Sequence, residues 1–304
     1  MSESRSAPSQ LPAQRRWATV EGTETSYPLP PEIVEPKLAL SGVGRTFVNA
    51  RGERIEALRG VSFEVQPGEF VCILGPSGCG KTTILNILAG LDQPTAGVTL
   101  LDGRPIPPPG PDRALLFQDP ALFPWLSVRG NVELALELIG VPKDERGDRA
   151  SAWLAKVHLS RFANAQPHEL SLGMRQRAAL ARALACEPAV LLADEPFGSL
   201  DAQAREILQD ELQRVWAESR PTFVFVTHNV REAVFLADRV LLMSAPPGTM
   251  LVEERIRTPR PRNYEDVLIA KVVSDIHEHL VKEVGKVVAA EMGEADEAGE
   301  GGAS

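Results

Sequence analysis

The chain has 304 residues, 43% of them hydrophobic and 24% charged, with 41 acidic against 32 basic side chains for a net charge of −9. That balance excludes collagen-like repeats, a coiled coil and disorder throughout. The acidity argues against a generic nucleic-acid binder, which needs a phosphate-neutralising surface. No apolar run reaches the roughly 18 residues that span a bilayer, and residues 1–16 lack the apolar centre of a secretory signal. Cys72, Cys79 and Cys186 match no disulfide framework or metal spacing. A reducing cytosol is therefore expected, and any membrane role has to come through a partner.

Residues 1–36, rich in Ser, Pro, Gln and Glu, read as a flexible tail. A body follows over 37–258, and 259–304 read as a C-terminal helical extension passing into an acidic disordered tail, fraying from about Val281. The body opens with strand-like stretches at 37–40, leading to Phe47, and at 61–65. Phe70–Leu74 is an unbroken apolar run, the pattern of a strand buried on both faces in a parallel sheet. Residues 189–193 and Thr222–Thr227 have the same character. Loop chemistry and a helix-like segment follow each, the alternation of an α/β fold. A helical subdomain is predicted over about 119–184, with Ser127 capping a helix that carries Val132, Ala135, Leu136 and Ile139 on one face.

Directly after the strand Phe70–Leu74 come Gly75, Pro76, Ser77, Gly78, Cys79, Gly80, Lys81, Thr82 and Thr83, a full G-x-x-x-x-G-K-[ST] match in a strand–loop–helix context. Glycines let backbone N–H groups turn inward around phosphates, and a helix starting near Lys81 aims its positive end at them. Lys81 is expected to reach the β- and γ-phosphates of ATP, and the Thr82 hydroxyl to ligate Mg²⁺. The sulfur of Cys79 is given no role. The metal needs a distant carboxylate, and Asp194-Glu195 ends the second buried strand. Adjacent carboxylates there are costly without a cation. Asp194 is expected to hold Mg²⁺ through water, and Glu195 to polarise the attacking water.

Leu170-Ser171-Leu172-Gly173-Met174-Arg175-Gln176-Arg177 resembles the signature motif of ATP-binding cassette (ABC) ATPases. Gln118 resembles the family's Q-loop, Ser199-Leu200-Asp201 its D-loop and His228 its switch histidine. Phe47 lies where the family places an aromatic ring on adenine, although a lone Phe at a strand end is often core. The resemblance spans about residues 37–257 and implies a P-loop NTPase fold: a RecA-like α/β core, an antiparallel β subdomain and a helical subdomain. It implies that Gln118 contacts Mg²⁺ or the attacking water and that His228 bonds the γ-phosphate. It further implies that Ser171 and Gly173, at a helix start, face the γ-phosphate bound by a second subunit, so that ATP joins a dimer. Ser171 is also a natural N-cap. Asp201 is expected at the same nucleotide interface. The family normally has Gly where this chain has Leu172. The expectation is a slower enzyme with a crowded interface, or a strained one if the position requires φ > 0.

A finer similarity is to importers of the nitrate, sulfonate and taurine type. It rests on the stretch 117–128, on Arg231-Glu232-Ala233 and on Pro-Arg-Pro-Arg at 259–262. It implies an ATPase subunit peripheral to the cytoplasmic face of a bacterial inner membrane, as a homodimer or paired with a second ATPase subunit. The implied partners are transmembrane permease subunits and, indirectly, a periplasmic or lipid-anchored solute-binding protein, with no nucleic acid. Phe123 and Trp125 are candidates for the permease contact or for core packing. Two alternatives stand beside this reading: a soluble ABC-type ATPase, and a nucleotide-dependent regulatory module. A single P-loop and the short span of about 112 residues between Lys81 and Asp194 disfavour the first.

Overall fold

The computed structural model describes residues 35–264 and 266–300, with side chains as far as Lys286. The predicted N-terminal tail lies outside the described residues up to position 34, as do the last four residues of the predicted C-terminal tail. The strands are β1 (Leu38–Val48), β2 (Arg54–Val65), β3 (Phe70–Leu74), β4 (Ala96–Leu101), β5 (Arg104–Pro105), β6 (Arg113–Leu116), β7 (Val190–Asp194), β8 (Thr222–Thr227), β9 (Arg239–Met243) and β10 (Met250–Arg255). The helices are α1 (Lys81–Ala89), α2 (Val128–Leu138), α3 (Lys143–Lys156), α4 (Leu172–Ala185), α5 (Ala202–Ser219), α6 (Val230–Leu236) and α7 (Val267–Glu300).

Two sheets organise them. One is antiparallel, in the order β2-β1-β4-β5. The other runs β10-β9-β3-β8-β7-β6 and is parallel except for the edge strand β10. Its central strands β3 and β8 are buried at every residue, which is why their sequences are apolar without alternation. Helix α1 and the antiparallel sheet cover one face, through Ile84, Leu85, Leu88, Val61 and Phe63. Helices α5, α6 and α7 cover the other, where Phe70, Phe223, Phe225 and Trp216 form an aromatic core. Ring centroids of Phe70 and Phe223 lie 4.3 Å apart, edge to face. Helices α2, α3 and α4 share a separate apolar cluster of Val132, Leu136, Leu154 and Ala178.

Ser127 caps α2 as predicted, accepting from the Gly130 N–H at 3.0 Å. Helix α7 begins at Val267, well before the predicted fraying point, because Ile269, Ile276 and Leu280 bury one stripe against the core. Among the described residues no helix is long and apolar enough to cross a membrane.

Candidate active site

The parallel sheet gathers the candidate residues at the carboxyl ends of four adjacent strands. Gly75 follows β3, His228 follows β8, Asp194 ends β7, and Gln118 lies two residues beyond β6. Open α/β sheets place ligands at this edge.

The loop after β3 turns tightly into α1. Gly78 and Gly80 have φ of 76° and 95°. A Cβ at Gly80 would approach Leu58 to 2.5 Å and the Ala57 carbonyl oxygen to 3.0 Å, so only glycine fits. Lys81 opens α1 and is buried; its Nζ donates to the carbonyls of Gly75 at 3.0 Å and Pro76 at 2.9 Å, with Glu195 Oε1 at 3.6 Å. Ser77, Gly78 and Thr82 are exposed around it. Cys79 is buried under the loop, and burial pushes its thiol pKa up, which makes it a structural side chain.

The Thr82 side chain lies beside the Asp194 carboxylate and favours its ionised form. Burial, and secondarily the charge of Glu195, push the Asp194 carboxyl pKa up against the opposing pull of Thr82 and Lys81. Glu195 follows in the left-handed region at φ 44°, its N–H held by the Val226 carbonyl at 2.9 Å. That turn aims the carboxylate at His228, whose Nδ1 lies 2.7 Å from Oε2. Lys81, Thr82, Asp194, Glu195 and His228 are thus joined by direct contact. A buried ammonium turned onto backbone carbonyls and a carboxylate penalised by burial beside a hydroxyl fit a bound triphosphate and its divalent cation. Thr82 and Asp194 supply the hard oxygen donors that Mg²⁺ prefers.

The remaining candidates stand on other elements. Gln118 is exposed; its side-chain nitrogen lies 3.5 Å from the position a Cβ on Gly198 would take, and Gly198 donates to the Glu195 carbonyl. Phe47 on β1 is 38% exposed and lies under the Arg45 guanidinium at 4.5 Å, so it is not core. Ser171 caps α4, accepting from the Met174 N–H at 3.3 Å. A Cβ on Gly173 would lie 3.9 Å from the Ala204 and Leu208 side chains of α5. Asp201 caps α5, accepting from the Ala204 N–H at 2.9 Å. Trp125 is 72% exposed with its ring centroid 5.5 Å from that of Phe123, which removes the core-packing alternative for Trp125.

Supporting residues escaped the motif reading. Asn131, fully buried, bonds the N–H and carbonyl of Phe123 and the carbonyls of Leu126 and Ser127, and so holds the segment that presents Trp125. Arg182 donates to the carbonyls of Pro120 and Ala121. At Gly248 a Cβ would lie 2.0 Å from the Cys79 carbonyl oxygen, so this glycine lets its loop back the phosphate loop. Only the Pro-Pro-Gly turn signal around Gly248 was available in the sequence.

A family model described as ABC transporter matches residues 58–198. The nitrate import ATP-binding protein NrtD of Synechocystis sp. is 46% identical over 234 residues, which cover 75% of this chain and 88% of that protein. The bicarbonate transport ATP-binding protein CmpC of Synechococcus elongatus is 43% identical over 235 residues, 76% of this chain but 35% of the longer relative. Among solved structures, the dimeric post-hydrolysis state of the ATP-binding cassette MJ0796 bound to ADP and Pi superposes with a TM-score of 0.64 at 35% identity, covering 73% of this chain and all of that one. Its cassette fold, its phosphate loop and its likeness to these relatives establish that the chain belongs to the family of ABC transporter ATP-binding proteins.

Proposed function

We propose that this ABC ATPase is the energy-supplying subunit of an importer for a small solute of the nitrate, sulfonate or taurine type. The observation that carries the reading of the site is the Glu195–His228 pair at 2.7 Å, set beside the buried Lys81 at the open edge of the sheet.

In this reading the N–H groups of the loop from Gly75 to Thr83 wrap the phosphates of ATP. Lys81 leaves the carbonyls of Gly75 and Pro76 for the β- and γ-oxygens. Thr82, Asp194 and Gln118 hold Mg²⁺, which when bound neutralises phosphate charge. Glu195 accepts a hydrogen bond from the attacking water, and His228 holds the Glu195 carboxylate in place and reaches the γ-phosphate. Hydrolysis of this kind needs positioning and charge stabilisation more than covalent chemistry. Phe47 stacks on the adenine. Ser171 and Gly173, at the amino end of α4, and Asp201 act across a dimer on nucleotide held mainly by the other subunit. The capped, outward start of α4 supports that role.

Permease subunits are the partners that would turn dimer closure into transport. The exposed Trp125, beside Phe123, supports a docking point next to Gln118. A periplasmic or lipid-anchored binding protein would deliver the solute, and the assembly would sit at the cytoplasmic face of the cell membrane. The likeness to a nitrate import protein and to a bicarbonate transport protein supports a small oxyanion as cargo. The test is to co-express the full chain with candidate permease subunits, reconstitute the complex in vesicles and measure ATP-dependent uptake of nitrate, taurine and bicarbonate. Uptake of one of them establishes the cargo. Hydrolysis without permease binding favours a soluble ATPase.

A further inference from the structure

We propose that Tyr264 is a positioning residue for ATP hydrolysis, acting on the His228 loop through Gln209, Glu232 and Thr227. The inference rests on the reading of His228 given above and extends the hydrolytic machinery to the segment that follows β10.

The connection is an unbroken series of hydrogen bonds. The Tyr264 hydroxyl donates to Gln209 Oε1. Gln209 Nε2 donates to Glu232 Oε1 at 2.8 Å. The Thr227 hydroxyl donates to the other oxygen, Glu232 Oε2. Thr227 Oγ1 also accepts from the Asn229 N–H at 3.0 Å, and Asn229 Oδ1 accepts from the Glu232 N–H at 3.3 Å. His228 is the residue between those two anchors, and it faces Glu195. The buried Glu232 carboxylate therefore fixes the Thr227 hydroxyl, which in turn holds the Asn229 N–H on the other side of the histidine.

The two central links lie where bulk solvent has little access to replace a lost bond. Gln209 and Glu232 are 2% and 4% exposed. A side-chain amide has a donor end and an acceptor end; the acceptor-only Glu232 carboxylate takes the donor end, which leaves Gln209 Oε1 to be satisfied by the Tyr264 hydroxyl. Burial pushes the phenol pKa up, so the hydroxyl keeps the proton it donates. Without it, the Gln209 oxygen is an unpaired buried acceptor, and rotating the amide to relieve it would turn that oxygen onto a carboxylate. Buried networks of this kind lose more than one bond when one member is removed.

The same segment also grips the far end of α6, the short helix that His228 leads into. Arg262 donates to the carbonyls of Val234 and Phe235 at 3.0 and 3.1 Å, and Arg260 pairs with Asp238 and bonds the Leu236 carbonyl. The Tyr264 ring stacks on Phe235 with centroids 4.0 Å apart. Residues 260–264 thus hold α6 at its carboxyl end by contact and at its amino end through Gln209 and Glu232. This gives the Pro-Arg-Pro-Arg signal and Glu232 a common purpose.

Tyr264→Phe removes the hydroxyl and keeps the stacked ring. In the full chain it is expected to lower kcat about tenfold, a loss of the size that small misplacements cause, with KM for ATP within about twofold. Added to His228→Ala, it should change the residual rate less than about twofold, because the two act in series. With histidines labelled by ¹⁵N, only five imidazole signals are present and His228→Gln identifies the relevant one. Tyr264→Phe should move that signal in the nucleotide-free protein well below its melting temperature, and Gln209→Met should move it the same way. A wild-type kcat, an unmoved His228 signal in both variants, or the same tenfold loss in the His228→Ala background would overturn the proposal. If His228→Ala itself hydrolyses at the wild-type rate, the reading of the site fails and the relay with it. If His228→Ala is slow and Tyr264→Phe is not, the relay alone fails.

Discussion

Gln176 donates its side-chain amide to the main-chain carbonyl of Gln118 at 2.7 Å, tying the early turns of α4 to the loop that carries a candidate metal ligand. Signature helix and Q-loop are therefore coupled inside one chain, before any partner binds. Gln176 is buried, so Gln176→Met leaves the Gln118 carbonyl without this donor at similar volume. The expected cost is about 1 kcal/mol, or a fall in Tm of roughly 2–4 °C for a domain of this size. The rate of ATP hydrolysis should fall several-fold with little change in ATP affinity. Thermal unfolding and steady-state kinetics on the same preparation check both. A Tm shift with an unchanged rate would make the bond structural only.

Glu195→Gln tests the chemistry. The side chain lies 2.7 Å from His228 and 3.6 Å from Lys81, and glutamine keeps its shape while losing the negative charge. ATP binding should persist and single-turnover hydrolysis should fall by about 10² or more. The ATP-bound dimer should live longer, since the nucleotide that joins it is no longer consumed. Single-turnover rates and size-exclusion chromatography with ATP are the measurements. Hydrolysis near the wild-type rate would remove Glu195 from the site.

Some of this was readable in residue order and some was not. The phosphate loop was, because its chemistry fixes four positions within eight residues, Gly75 to Thr82, and the strand before it is uniformly apolar. Strands β6 and β9 were not. Each is short and opens on an arginine that reads as surface, yet Arg113 donates to the Pro107 and Pro108 carbonyls and Arg239 pairs with Glu69 and Glu253. Nothing in the residue order tells that Glu232 bonds Thr227 and Gln209 and, through Gln209, reaches Tyr264. The last of those partners is 32 positions away in the chain and meets it only through the fold. Pairing of this range leaves no periodic trace.

Trp125→Ala separates docking from folding. The ring is 72% exposed, and the loop around it is held by Asn131 and Arg182 whether or not the indole is present. The isolated subunit should melt within about 2 °C of wild type, since exposed substitutions away from such anchors cost little. Affinity for the permease pair should drop by about 2 kcal/mol or more if the ring is an interface anchor. Co-purification from detergent, with quantified stoichiometry, reads the difference. Normal assembly would move the docking point elsewhere.

Asp194→Asn tests whether the site is built for a cation. Burial raises the folded-state pKa of Asp194. A carboxyl raised in the fold contributes stability that is fully present below the ordinary Asp range and is lost as pH rises through the folded-state value. Ionised Asp194 therefore weakens the nucleotide-free protein at pH 7. Asp194→Asn should melt higher than wild type at pH 7, and the gap should close as pH is lowered through the raised pKa. The added stability from Mg²⁺ with ATP should be present in wild type and largely absent in the variant. A variant that melts lower at pH 7 would show that the pull of Thr82 outweighs burial.

Leu172 is the departure from the signature pattern, and its local geometry bears on both expectations, backbone strain and a crowded interface. It is the first residue of α4 after the Ser171 cap, its φ is not positive, and its side chain packs against the main core. Backbone strain is therefore excluded as the consequence of leucine here. A side chain packed on the core of its own chain also leaves the Leu172 and Gly173 N–H groups unobstructed, the Met174 N–H being held by Ser171. Leu172→Gly should give no gain in hydrolysis or in ATP-driven dimerisation. It should instead lower Tm, because it removes apolar contact and places a residue about 1 kcal/mol less favourable than alanine in a helix. Sedimentation with and without ATP, ATPase rate and thermal melting on one preparation decide the matter. A rise in both rate and dimerisation would mean that the leucine obstructs closure in the assembled dimer.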